Sequence, residues 1–383
     1  MGLKPNLLDV RGRNQEKVLR KIRSMCVFLV VALFGCLLIT PSYSSLQTDL
    51  RISSSGIIRD EMGKTVVWSD GSKESIQVTE KGSIFVNGSE VIAFGFNVAR
   101  YGDWGDLSDE AANKALDRLM QDGVRFMGLN IHWWLTRQEE IENVLNFWLP
   151  KLYEHKMFVV LCMSDAVEDE GYGVPRGQPT VEWQMNRINI ALARISQNKN
   201  WADIIFAFGF TWELDLFYTG TASQLEAYLS TLYPEVKNAT ASVIGDVPLI
   251  GKIVSGWGQG PEHLYSKSVL RWSDIPSIDF YPMLKDSELD YDWIAPRISL
   301  FHEVVDAVGK SGINVWYIEF GLSENNPLFD KEKLEYCLSE AGYNDLSLMM
   351  IWEVWDRTGI WSAFDSNGNP LDWYVRIAPY FPR

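Results

Sequence analysis

Val315-Trp316-Tyr317-Ile318-Glu319-Phe320-Gly321 is an apolar run of strand length with a single carboxylate set near its end. A second such run, Ile204-Ile205-Phe206-Ala207-Phe208-Gly209-Phe210-Thr211-Trp212-Glu213, ends on a glutamate 106 residues earlier. A carboxylate ending a buried strand is costly unless it is paired or used. Either glutamate alone reads equally well as a surface group just past its strand. Two in the same register, three strand–helix units apart, read differently. The C-terminal ends of the strands of a parallel (β/α)8 barrel surround one site, so two strands can bring their carboxylates together. Such a pair serves a retaining glycosidase as general acid/base and nucleophile.

The rest of the chain supports that register. Short apolar runs recur at Val91–Ala99, Arg125–Trp133, Phe158–Met163, Ile204–Phe210, Pro248–Val254, Ser277–Met283, Val315–Ile318 and Leu348–Ile351. Their starts are spaced roughly 29 to 46 residues apart, with helical patterning between them at Asp109–Gln121 and Leu225–Ala239. Eight strand–helix units over about 250 residues predict an α/β fold of the (β/α)8 TIM-barrel type. A doubly wound sheet is the alternative, but the phosphate loop that normally follows its first strand is missing. Asn87-Gly88 is a strong two-residue turn signal, so a short β-hairpin precedes the first barrel strand. Three segments follow: 1–44, basic then apolar; 45–75, a linker or irregular N-terminal layer; and 76–383, the barrel.

Residues 1–24 are basic and polar, and an apolar run from Met25 to Ile39 follows. Fifteen apolar residues suit a signal-peptide core better than a membrane span, which needs about 20. The long basic segment keeps an uncleaved anchor open, so the expectation is a secreted protein that touches membrane only through this segment. Without residues 1–44 the chain keeps 28 basic and 48 acidic residues, a net charge of −20. So acidic a surface repels polyanions, which disfavours nucleic acid and suits a neutral polysaccharide or oligosaccharide. Of four cysteines only Cys162 and Cys337 lie beyond residue 44, so no disulfide framework is expected. Four histidines, without His-x-His or HExxH spacing, disfavour a metal-dependent hydrolase, and no cofactor is called for.

Chemistry in such a barrel sits where strands end. Those ends carry Asn97, Arg100 and Trp104; Asn130, His132, Trp133 and Trp134; Asp165; Glu213 and Asp215; Trp257; Asp279 and Tyr281; Glu319; then Trp352, Glu353 and Trp355. The opposite ends carry little of this character. Trp faces can stack on pyranose rings, and a Tyr or Asn beside a carboxylate can keep it ionised. The residues expected to meet substrate are Asn97, Asn130, His132, Trp133, Trp212, Trp257, Asp279, Tyr281, Trp352 and Trp355. The Gly- and Pro-rich loop Ala166–Val181 is a candidate cleft wall.

These stretches resemble the retaining (β/α)8 glycoside hydrolases, the family-5 cellulase and β-mannanase type in particular. Gly82–Gly88 followed by Ala93-Phe94-Gly95-Phe96-Asn97 is similar to their opening hairpin and first strand, and Asp122–Trp133 to their second. Ile318-Glu319-Phe320-Gly321 is similar to their seventh-strand nucleophile motif, the most specific match. Asp279-Phe280-Tyr281 resembles the sixth strand, whose aromatic hydroxyl touches the nucleophile, and Trp352 resembles the eighth-strand Trp under the sugar. The resemblance implies Glu213 as acid/base, Glu319 as nucleophile and hydrolysis of β-linked polysaccharide. There are two departures. Trp212 stands where the family has an Asn that holds the sugar 2-hydroxyl, and Asp165 stands where a His is usual. A barrel that binds glycan without cleaving it is therefore the alternative.

Overall fold

The computed structural model describes residues 63–382 except 102–105, 170, 256–264, 282–290, 322–330, 339–345 and 357–360. The Met25–Ile39 run, Trp104 and Trp257 lie outside the described residues. The described chain opens with an antiparallel sheet of four strands: β1 (Gly63–Val67), β2 (Lys73–Val78), β3 (Ile84–Val86) and β4 (Ser89–Val91). The Asn87-Gly88 turn joins β3 to β4 with both residues at positive φ, 52° and 79°, as a two-residue hairpin of this kind requires. The expected hairpin is thus half of a larger layer. β1 and the start of β2 fall within 45–75, which reads as a linker because only every second residue, such as Val66 and Trp68, is buried. Trp316 donates from its indole to the Gly82 carbonyl at 2.9 Å, and Lys64 donates to the Ala202 carbonyl at 3.0 Å. Those contacts lie where barrel strands begin, so the sheet covers the end of the barrel away from the glutamates.

The eight apolar runs become eight parallel strands: β5 (Ala93–Ala99), β6 (Phe126–Ile131), β7 (Phe158–Met163), β8 (Ile205–Trp212), β9 (Leu249–Ser255), β10 (Ser277–Phe280), β11 (Val315–Gly321) and β12 (Leu346–Trp352). They pair in chain order, and β12 closes on β5. Every residue of β5, β6, β7, β8, β10, β11 and β12 is buried, because one face fills the barrel and the other lies under helices. This explains why the runs are continuously apolar rather than alternating.

The helix Asp109–Gln121 begins at Ser108, whose hydroxyl accepts from the Ala111 amide, a cap worth about 1 kcal/mol. Thr221 and Gln224 form a capping box that starts Ala222–Val243. Among the described residues no helix is long and apolar enough to cross a membrane.

Register shifts at five places: at Val159/Val160 and Val315/Trp316, where strands begin, and nearer the strand ends between Gly209 and Thr211, Ile278 and Asp279, and Tyr317 and Phe320. Such bulges re-aim side chains at strand ends. Here, toward the strand ends, the extra residues fall on β8 and β11, the strands that lead to Glu213 and carry Glu319.

Candidate active site

Glu319 projects from β11 beside Asp279, its register partner on β10. Both of its carboxylate oxygens are engaged. Tyr281 donates its hydroxyl to Oε2 at 2.5 Å, and the Lys252 ammonium forms an ion pair with Oε1. The close approach of Tyr281 explains the glycine of the Glu319-Phe320-Gly321 motif, since a Cβ on Gly321 would run into the Tyr281 ring. Glu213 follows β8 with φ 54°, a left-handed conformation uncommon outside glycine. That residue turns the chain from β8 into the short helix Leu214–Phe217. One carboxylate oxygen each from Glu213, Asp279 and Glu319 lie within 4.8 Å of one another. Three carboxylates this close attract a cation, and the chain supplies one in Lys252, paired to Asp279 at 3.0 Å as well as to Glu319.

Burial pushes the Glu213 carboxyl well above its ordinary value, and the charge of Glu319 adds to the effect while Lys252 opposes it. A carboxyl held protonated near neutral pH is suited to donate a proton. Burial alone would lower the Lys252 ammonium, but Asp279 and Glu319 outweigh it and hold it above its ordinary value.

A cleft of about 620 Å³ opens over these groups. His132 stacks on Trp134 with ring centroids 4.1 Å apart and planes 8° apart, and on Trp212 at 5.4 Å and 26°. Trp352 meets Trp212 edge-on at 5.9 Å, and Trp361 meets Tyr281 edge-on at 5.3 Å. Asp165 fixes Trp212, accepting from the Trp212 amide at 2.9 Å, the Tyr228 hydroxyl at 2.8 Å and the Thr211 hydroxyl at 3.0 Å. The residue standing where a His was usual is therefore a support for Trp212.

Of the residues expected to meet substrate, His132, Trp133, Trp212, Tyr281 and Trp352 line the cleft together with both glutamates. Four others do not. Asn97 is fully buried, donating to the Ile318 carbonyl at 2.8 Å and accepting from Asn130 at 2.8 Å. Asn130 and Asp279 are likewise without exposed surface and lie beneath the cleft floor. Trp355 packs edge-on against Tyr101. The cause is the same in each case: a strand-end residue can point into the barrel or among helices as easily as into the mouth, and its place in the chain specifies only its height. Trp257 lies outside the described residues. The loop after β7 contributes Ala166 and Glu168 to the cleft.

Lys252 is the principal site residue that strand-end position did not single out. Its signal is present in the chain, a lone charge in the apolar run Pro248–Val254, the same mark that distinguishes Glu319. Tyr101, Glu168, Asp356 and Trp361 also line the cleft, and they carry no comparable mark.

Two buried carboxyls give a stability prediction. Burial pushes Asp165 and Asp215 each up to about 7 in the folded chain, against an ordinary value of 3.8. Between those values the unfolded chain has released these protons and the folded chain has not, so stability falls as pH rises through that window. The thermal midpoint should be lower at pH 8 than at pH 5, and Asp215→Asn should flatten the difference. A midpoint that rises from pH 5 to pH 8 would contradict the assignment.

A closed parallel barrel with paired carboxylates at its C-terminal mouth is the architecture of (β/α)8 glycoside hydrolases, and solved structures of that kind share this fold. A β-glucuronidase from Ruminococcus gnavus in complex with uronic deoxynojirimycin aligns with a TM-score of 0.54 at 14% identity, over 80% of this chain and 53% of that one. The chain thus spans about half the length of that enzyme. Endo-glycoceramidase II from Rhodococcus sp., in a cellobiose-like imidazole complex, aligns at 0.52 and 14% identity over 78% of this chain and 79% of that one. The GH5_18 protein from Bifidobacterium longum subsp. longum aligns at 0.54 and 13% identity, covering 75% and 78%. No protein-family model matches the sequence, and no curated protein matches it significantly. The resemblance carried by the motifs therefore holds at the level of the fold: the chain has a (β/α)8 barrel like those of these solved glycosidase structures.

Proposed function

We propose that the protein is a retaining glycoside hydrolase acting on β-linked polysaccharide of the β-mannan or β-glucan type. The observation that carries this reading is the approach of Glu213 and Glu319 to within 4.8 Å, oxygen to oxygen, at the mouth of the barrel. Retaining enzymes hold their carboxyl groups about 5–5.5 Å apart, whereas inverting enzymes leave about 6.5–9.5 Å for a water. In the first step a Glu319 oxygen attacks the anomeric carbon, the glycosidic C–O bond breaks, and Glu213 gives its proton to the leaving oxygen. In the second, water attacks the same carbon, Glu213 takes a proton from it, and Glu319 leaves as a carboxylate.

Glu168 and Asp356 line the cleft and, among its described lining residues, there is no Lys or Arg. That composition favours a neutral sugar over a uronic one. An extracellular location fits the basic and apolar N-terminal segment, since polymeric glycans are met outside the cell.

Trp212 favours one other reading, a barrel that binds glycan without cleaving it. The Asn that would hold the sugar 2-hydroxyl is absent, and Asn130, expected to meet substrate, is buried under the floor. His132 lines the cleft beside Trp212 and is placed to take that contact. Reducing-end release from β-mannan, β-glucan and xylan, with Glu319→Gln as control, separates the two readings. Release by the unmodified protein and not by the variant is the expected result. Glycan binding without release from any polymer would establish the alternative.

A further inference from the structure

The ammonium of Lys252 lies between two carboxylates and has no exposed surface. It also sits 3.6 Å from the centroid of the Trp212 ring. Nothing about stability alone asks for this arrangement. A buried ion pair is often no better than an apolar substitute, and a Met at position 252 could pack against Trp212 equally well. What a Met could not do is oppose the burial and the Glu319 charge that together push the Asp279 carboxyl well above its ordinary value, the two groups being neighbours in register on β10 and β11. Two carboxylates sharing a site without a cation cannot both stay ionised.

We propose that Lys252 is a positioning residue for Glu319, its ammonium shared with Asp279 and drawn toward Asp279 whenever Glu319 gives up its charge. The proposal rests on the glycosidase reading above. When the C–O bond between Glu319 and the anomeric carbon forms, the carboxylate becomes a neutral ester and Asp279 becomes the ammonium's remaining close counter-ion. When water displaces the ester, Glu319 regains its charge and the ammonium pairs with it again. Lys252 transfers no proton and forms no bond to sugar. Its positive charge sits against the carboxylate that loses its charge in the first step and regains it in the second.

The other charged and titratable groups around the pair are Glu213 after β8, Cys162 on β7, Tyr281 after β10, and Tyr101 with Glu353. Burial raises Cys162 to about 12, so it is a neutral thiol there. Among the described residues, Lys252 is the cation in ion-pair contact with Glu319.

The test is the pH dependence of kcat/KM on an aryl β-glycoside for the unmodified enzyme, Lys252→Met and Asp279→Asn, with melting curves to confirm folding. The acid limb reports ionisation of Glu319 in the free enzyme. Loss of an opposite charge at ion-pair distance should move that limb up by about 1–3 pH units in Lys252→Met. Asp279→Asn removes a like charge and keeps the lysine, so its limb should move down. Opposite displacements support the proposal, because a structural lesion would lower activity without moving the limb in two directions. A limb unmoved in both variants overturns it. If Lys252→Met does not fold, the downward displacement in Asp279→Asn decides, and its absence overturns the proposal. If the unmodified protein cleaves no glycoside, the glycosidase reading fails by itself. Carboxyl-carbon NMR titration of Glu319 in the unmodified protein and Asp279→Asn then reads the same electrostatics without turnover. A Glu319 midpoint that moves down in the variant supports the proposal, and an unmoved one overturns it.

Discussion

Glu319→Gly is expected to lose turnover of an aryl β-glycoside by on the order of 10⁵-fold, because removing a nucleophile removes the covalent route altogether. Added azide should restore part of it. The cavity left by Glu319 is bordered by the Lys252 ammonium and the Tyr281 hydroxyl, which attracts a small anion to the place where the carboxylate attacked. Azide entering there displaces the leaving group once and gives a glycosyl azide of inverted configuration. The measurement is product configuration by proton NMR. A rescued product that keeps the substrate's configuration would assign Glu319 the acid/base role instead.

Glu213→Gln should separate two substrates. The glutamine cannot give a proton, and the transition state for an unactivated leaving group needs one. Turnover of polysaccharide should therefore fall by about 10²–10⁴-fold. An aryl glycoside with a good leaving group should suffer much less in its first step. Glycan affinity should stay nearly intact, since Trp352 and Trp212 supply stacking that does not depend on the proton. Because burial holds the Glu213 carboxyl protonated well above its usual range, the alkaline limb of the pH–rate profile belongs to it and should vanish in the variant. Equal losses on both substrates would indicate damage to the site rather than a missing proton.

The two glutamates and the lysine beside them differ in how far the chain alone reveals them. Glu213 and Glu319 were legible from the chain because each is a single charge ending an apolar run, and an uncompensated charge in a buried strand is expensive enough to signal use. Lys252 carries the same mark inside Pro248–Val254, yet its meaning emerges only when β9, β10 and β11 are placed side by side. An ammonium in a strand could face solvent, a helix or the barrel interior. Asn97 and Asn130 show the converse. Polar residues at the right height on β5 and β6 turned out to hydrogen-bond to each other and to the Ile318 carbonyl beneath the floor.

The eight apolar runs, their spacing and the hairpin turn at Asn87-Gly88 were sufficient for the barrel. Periodicity and turn chemistry are local properties, and a parallel strand buried on both faces announces itself as an unbroken apolar run. The N-terminal strands β1 and β2 were not legible, because a half-exposed strand of five or six residues rich in Lys, Ser and Thr leaves too few apolar positions to show a period. What only the tertiary structure decided is direction: which strand-end side chains meet in the cleft, and which cation lies under them. The chain by itself determines the level of a residue along its strand. Bulges such as those on β8 and β11 re-aim the side chains beside them, and they depend on pairing with neighbouring strands that are distant in the chain.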